Sequence, residues 1–167
     1  KEVNAVSLRD IRDPKIFLLS LGGVGFFPWA PGTMGTLATL PVLILASSFG
    51  MPPFLLAPFI FACTVYSCFM AHLVQKERSV HDPGWIVMDE ALGMALTWMF
   101  IQNGHWSHLA LCFGLFRFFD IFKIWPATYF DRDVTHGAGT ILDDIVSGVY
   151  AGLVYLLIEY FNILPVS

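Results

Sequence analysis

The chain has 167 residues, of which 56% are hydrophobic and only 13% charged, with a mean hydropathy of +0.68 and a net charge of −4. A soluble domain carries about 25% charged residues, so this composition excludes disorder and argues against a water-soluble fold. The excess of acid over base gives no polyanion-binding surface, and no nucleic-acid partner is expected.

No Asp, Glu, Lys or Arg occurs between Lys15 and Lys76, or between Glu90 and Arg117, and such gaps read as membrane-embedded. The polar stretch Lys1–Lys15 has no signal-peptide layout, and Pro14 is expected to end any helix begun at Ser7. From Ile16 to Thr36 the chain is broken by Gly22, Gly23, Gly25, Pro28, Pro31, Gly32 and Gly35. Irregular backbone of that kind survives at membrane depth only when it is buried in protein or lines a polar cavity.

Five apolar segments follow: Leu37–Phe49, with Pro41 expected to bend it, then Phe54–Val74, Trp85–Ile101, His108–Phe122 and Ile141–Leu164. The fold expected is all-α, a polytopic membrane helical bundle of about five membrane-embedded helices plus the irregular Gly/Pro-rich N-terminal segment, in one domain over 1–167. Taken as spans, these segments put Lys1, Arg9, Arg12, Lys15, Lys76, Arg78, Lys123 and Arg132 on one side. The opposite connections, Gly50–Pro53 and Gln102–Ser107, carry no formal charge, so the basic side is assigned to the cytoplasm and the C-terminus to the outside. Cys63, Cys68 and Cys112 lie in apolar runs and read as small buried hydrophobes.

Chemistry is concentrated in two acidic pairs, Asp89-Glu90 and Asp143-Asp144, set in otherwise apolar helical runs. A charge at the centre of a membrane helix costs about 2.5–3.5 kcal/mol, so four of them need a reason. A carboxylate at a helix N-terminus is the plain alternative, but neighbours about 100° apart cannot both cap. A divalent cation removes the conflict between adjacent like charges, and oxygen-only, thiol-free ligation favours Mg²⁺ or Mn²⁺ over zinc. Gly93, four after Asp89, and Gly148 and Gly152, four and eight after Asp144, would let two helices approach closely beneath these acids.

Arg117, Asp120 and Lys123 recur every third residue in FGLFRFFDIFKIWP. They read either as an intrahelical ion-pair ladder or as a phosphate clamp from Arg117 and Lys123, with Asp120 as metal ligand or base. APGTMGT (Ala30–Thr36) offers backbone N–H groups and the hydroxyls of Thr33 and Thr36 just before an apolar helix, which suits an anion, although such a segment is more often an ordinary turn. Asp131 and Asp133 in YFDRDVTH read as solvated surface, and His72, His105 and His108 as structural. DRDVT fits the aspartate-nucleophile motif of haloacid-dehalogenase-like phosphatases in letter only, because a long α/β domain has no room after Thr135.

Asp82 and all of these candidate groups fall at the cytoplasmic ends of their segments, which suits a phosphorylated lipid head group; Glu159, near the outer end of the last helix, is the exception. APGTMGTL (Ala30–Leu37), VMDE (Val87–Glu90) with Gly93, LFRFFDIFK (Leu115–Lys123) and GTILDD (Gly139–Asp144) with Gly148, Ala151 and Gly152, in this order, resemble the phosphatidylglycerophosphatase A family. The chain reads KIWP at Lys123–Pro126 where that family often has Lys-Pro-Trp-Pro.

The resemblance implies a Mg²⁺-dependent, all-helical enzyme of the bacterial inner membrane that converts phosphatidylglycerophosphate in the inner leaflet to phosphatidylglycerol and phosphate. The mechanism expected has Glu90, Asp143 and Asp144 as metal ligands and, together with Asp89 and Asp120, as candidate catalytic acids, with Thr33, Thr36, Arg117 and Lys123 as the phosphate-binding set. Either water or one of the acids serves as nucleophile. From another class, a small cation-binding carrier or scaffold without hydrolysis would use the same carboxylates.

Overall fold

The computed structural model describes residues 6–49, 52–80, 82–101, 106–161 and 163. Among them every regular element is helical, with seven α-helices and no strand. Lys1, His105, Leu164 and most of the Gln102–Ser107 connection lie outside the described residues.

Pro14 follows the end of one helical turn, as expected, and also opens the next helix. A 3₁₀ turn over Leu8–Arg12 stops at Asp13, whose carboxylate accepts the Lys15 amide at 3.0 Å, and Pro14 then takes the first position of α1 (Pro14–Leu19). Proline is suited to that position, where its missing N–H has no partner to lose. Leu21, Gly22 and Gly23 follow with φ of 50°, 68° and 101° and turn the chain back.

The apolar helix begins six residues earlier than the sequence pattern suggests. α2 runs Pro31–Ser48, again with proline at its start, and continues through Pro41. α3 (Leu56–Arg78) ends at Ser79 in the left-handed region, φ 54°. α4 (Met88–Trp98), α5 (Trp106–Phe122), α6 (Ala127–Asp133) and α7 (Gly137–Tyr160) complete the molecule.

The five-span expectation is not what the helix lengths give. Among the described residues two helices, α3 with 23 residues and mean hydropathy 1.7 and α7 with 24 residues and 1.8, are long and apolar enough to cross a membrane. The α4 helix has 11 residues, about 16 Å at 1.5 Å per residue, roughly half the hydrocarbon thickness. Its beginning is set by the Pro83-Gly84 turn and its end by the return of the chain at Met99–Ile101. Phe59, Phe61, Val65, Tyr66 and Phe69 of α3 are all exposed, a surface that water penalises and lipid does not.

α7 is the central element and packs against α3, α4, α5 and α6. Its contact with α4 depends on glycine: a Cβ on Gly148 would meet the Gly93 carbonyl oxygen at 2.5 Å, and one on Gly93 would meet the Asp144 carbonyl oxygen at 2.6 Å. Thr97 fastens the same crossing, donating to Gly93 O at 2.9 Å and reaching Gly148 O at 3.2 Å. At the other face of α7, Gln75 of α3 donates to Thr140 Oγ1 at 2.8 Å, which ties together the ends of α3 and α7 where the acids lie.

Candidate active site

The glycine-mediated crossing of α4 and α7 fixes where their acids go. Asp89 and Glu90 are in the first turn of α4, where the helix dipole favours negative charge. Asp89 Oδ1 accepts the Glu90 amide at 3.0 Å. Asp143 and Asp144 are in the second turn of α7, both buried. Asp89, Glu90 and Asp144 each offer an oxygen, and these three oxygens lie within 4.8 Å of one another.

Three side chains of one charge do not gather away from water without compensation. Glu90 Oε2 and, beside the cluster, Asp143 Oδ1 are buried and accept no hydrogen bond. Oxygen donors alone, with Glu90 keeping a free buried lone pair, fit a hard divalent cation. Cys63 and Cys68 on α3 and Cys112 on α5 are no part of the group.

α5 and α2 close the site. Arg117 and Asp120 of α5 form an ion pair, both largely buried, and Asp120 also interacts electrostatically with Glu90 and Asp144. Arg117 Nε is buried and unpartnered. The N-terminus of α2 sits directly on these groups: a Cβ on Gly32 would run into Glu90 Oε1 and lie 3.4 Å from Arg117 Nη1. The first backbone bond of α2 is from Met34 to Ala30, at 3.1 Å, so the amides of Gly32 and Thr33 precede the helical ladder. An anion held there would meet those amides, the helix dipole and Arg117 together.

A family model, Phosphatidylglycerophosphatase A, matches residues 17–159, a stretch that contains every one of these groups. The chain belongs to the phosphatidylglycerophosphatase A family. Phosphatidylglycerophosphatase A of Escherichia coli (strain K12) is 41% identical over 143 residues, covering 84% of this chain and 81% of that protein. The Haemophilus influenzae protein of the same name is 38% identical over 147 residues, covering 87% and 89%. No solved structure matches. Members of the phosphatidylglycerophosphatase A family are phosphatases, and this chain is an enzyme of that family.

The residues singled out from sequence do not all meet in the structure. Asp89, Glu90 and Asp144 form the close trio, while Asp143 is turned to Lys123. Thr33 is half-buried in the first turn of α2. Thr36 is fully buried, and its hydroxyl donates to Gly32 O at 2.9 Å. Its proton is therefore committed to holding that turn.

Lys123 does not continue the Arg117–Asp120 stripe, because the chain leaves α5 there with φ 30°. Its ammonium bonds Asp131 at 2.8 Å and Asp143. Burial alone would lower its pKa, but Asp143 and Asp131 outweigh that and hold the group firmly protonated.

The solvated-surface reading holds for Asp133, which is exposed, and not for Asp131, which ion-pairs with Lys123 across the turn into α6. The signal that could have found it is an acid eight residues after a lysine with a Trp-Pro turn between them. His72 stacks edge-on to His136, and His108 bonds the Tyr155 hydroxyl at 2.7 Å.

Proposed function

We propose that this chain hydrolyses the phosphomonoester of phosphatidylglycerophosphate, giving phosphatidylglycerol and phosphate, with Mg²⁺ held by Asp89, Glu90 and Asp144 at the cytoplasmic face of a bacterial inner membrane. The observation that carries the reading is the convergence of those three carboxylates, within 4.8 Å, on the N-terminus of α2 and Arg117. The names of two relatives about 40% identical over most of the chain support the substrate. The basic residues Lys76 and Arg78 end α3 on the same side as the acids, which supports a cytoplasmic site.

A bound divalent ion supplies charge neutralisation at phosphoryl oxygens and activation of water. The chain's own residues supply the rest. The Gly32 and Thr33 amides and Arg117 bind the equatorial oxygens of the phosphoryl group, where charge is spread in the transition state. Asp120 fixes the guanidinium through its ion pair. Water adds to phosphorus as the bond to the glycerol oxygen breaks; a carboxylate of the cluster takes the water's proton and gives it to the departing glycerol oxygen. Glu90, wedged against Gly32, keeps the anion site and the acid cluster in one register.

The deciding experiment incubates the purified full chain with phosphatidylglycerophosphate, phosphatidic acid and a soluble phosphomonoester, with and without Mg²⁺. Phosphate release from the first, dependent on Mg²⁺, is expected. Cation binding without release from any of the three would instead favour the carrier or scaffold reading.

A further inference from the structure

We infer that Asp131 is a positioning residue for this reaction, acting through Lys123 on Asp143. The inference rests on the phosphatase function proposed above and adds a residue that the sequence pattern assigns to solvated surface. A lysine ammonium at the end of a flexible stem is not fixed by one partner; Lys123 has two, Asp131 on α6 and Asp143 on α7.

Both ends of this bridge are anchored. The Lys123 amide still bonds Phe119 O at 2.9 Å, Thr128 Oγ1 donates to the Lys123 carbonyl, and Tyr150 of α7 donates to Trp125 O at 2.8 Å. The helix that carries Asp131 is seated on α7, because a Cβ on Gly139 would strike the Val134 carbonyl oxygen and lie 2.7 Å from that of Phe130. Ser147 completes the frame, donating to Asp143 O at 2.9 Å and reaching Phe119 O at 3.3 Å.

The consequence lies at Asp143. Its Oδ2 faces Lys123, and its Oδ1 is buried and accepts no hydrogen bond. Asp131 is the second carboxylate on the ammonium, and it belongs to α6 and not to the acid trio. Without it, Lys123 has only the acids of the site to pair with, and it moves onto them.

The test uses the full chain in detergent, reading phosphate release from phosphatidylglycerophosphate and, separately, Mn²⁺ binding by electron paramagnetic resonance. Asp131→Asn should lower kcat roughly 10-fold with KM changed less than about twofold, and should weaken Mn²⁺ binding, because an ammonium released onto the acids competes with the cation. Asp131→Glu should restore most of the rate, and Asp133→Asn should match the wild type in both readouts. Because Asp131 acts through Lys123, the Lys123→Met/Asp131→Asn double variant should be no slower than Lys123→Met.

Unchanged kinetics and Mn²⁺ binding in Asp131→Asn, or effects of the two substitutions that simply add, overturn the inference. So does a collapse of the thermal midpoint shared by Asp131→Asn and the double variant, which assigns Asp131 to the scaffold. Wild-type protein that binds Mn²⁺ and releases no phosphate sinks the proposed function instead, and the Mn²⁺ titration still judges Asp131.

Discussion

Asp144 is where the demands of folding and of catalysis oppose each other most directly. It is 3% exposed and shares its space with Asp89 and Glu90, so with no ion bound its charge is disfavoured both by desolvation and by like neighbours. Asp144→Asn keeps the volume and removes one charge. Loss of an outer partner of a metal ligand costs 10–100-fold in activity, so if Asp144 holds Mg²⁺ as proposed, its loss should lower Mg²⁺-dependent phosphate release by more than about 100-fold. The same variant, without Mg²⁺, should unfold a few degrees higher than the wild type, since relief of about 1 kcal/mol shifts the midpoint of a domain this size by about 2–4 °C. Phosphate-release assays and thermal melts with and without Mg²⁺ check both halves, and a fall in activity with a lowered midpoint would show ordinary structural damage.

At this scale the sequence was informative wherever a residue was costly: four acids in apolar helices announce themselves. Asp131 did not, because an acid in a polar loop costs nothing and its partner Lys123 comes from beyond a turn whose geometry no local pattern specifies.

Elements convert those residues into a site, and two glycines separate the fold's needs from the site's. At Gly148 the obstacle to a side chain is the backbone of Gly93, which cannot move without parting α4 from α7. Gly148→Ala should therefore cost about 1–3 kcal/mol, as overpacking does, and should lower activity as Asp89 and Glu90 draw away from Asp144. At Gly32 the obstacle is the tip of Glu90, which can rotate. Gly32→Ala should leave the thermal midpoint close to wild type and still reduce kcat, because the carboxylate it displaces belongs to the acid trio; equal loss of stability in the two variants would contradict this division.

Glycines placed four residues beyond acids made the α4–α7 crossing legible from the sequence. Helix ends were less so. Pro31 reads as a breaker and is a helix start, Pro14 ends one helical turn and starts the next helix, and the seven residues of α6 are too few to show a 3.6-residue period.

The whole molecule adds orientation, which neither residues nor single helices determine. α7 is 24 residues long, about 36 Å at 1.5 Å per residue and enough to cross a membrane. Its first turns carry the acids and its last residue, Tyr160, is exposed. Asp133, just before α7, is exposed at the end where α3 finishes in Lys76 and Arg78. An excess of basic residues marks the side that stays in the cytoplasm, so a cysteine at 133 and one at 160 should lie on opposite faces.

In a background with Cys63, Cys68 and Cys112 replaced by alanine, a membrane-impermeant maleimide should label Tyr160→Cys in intact spheroplasts. It should label Asp133→Cys only in inverted vesicles. With that outcome the substrate's phosphate would meet the acids from the cytoplasmic leaflet, because Asp133 ends α6 just before the end of α7 that carries Asp143 and Asp144. Labelling of Asp133→Cys from outside would put the carboxylate cluster on the far side of the membrane and remove the cytoplasmic site, whatever the purified enzyme hydrolyses in detergent.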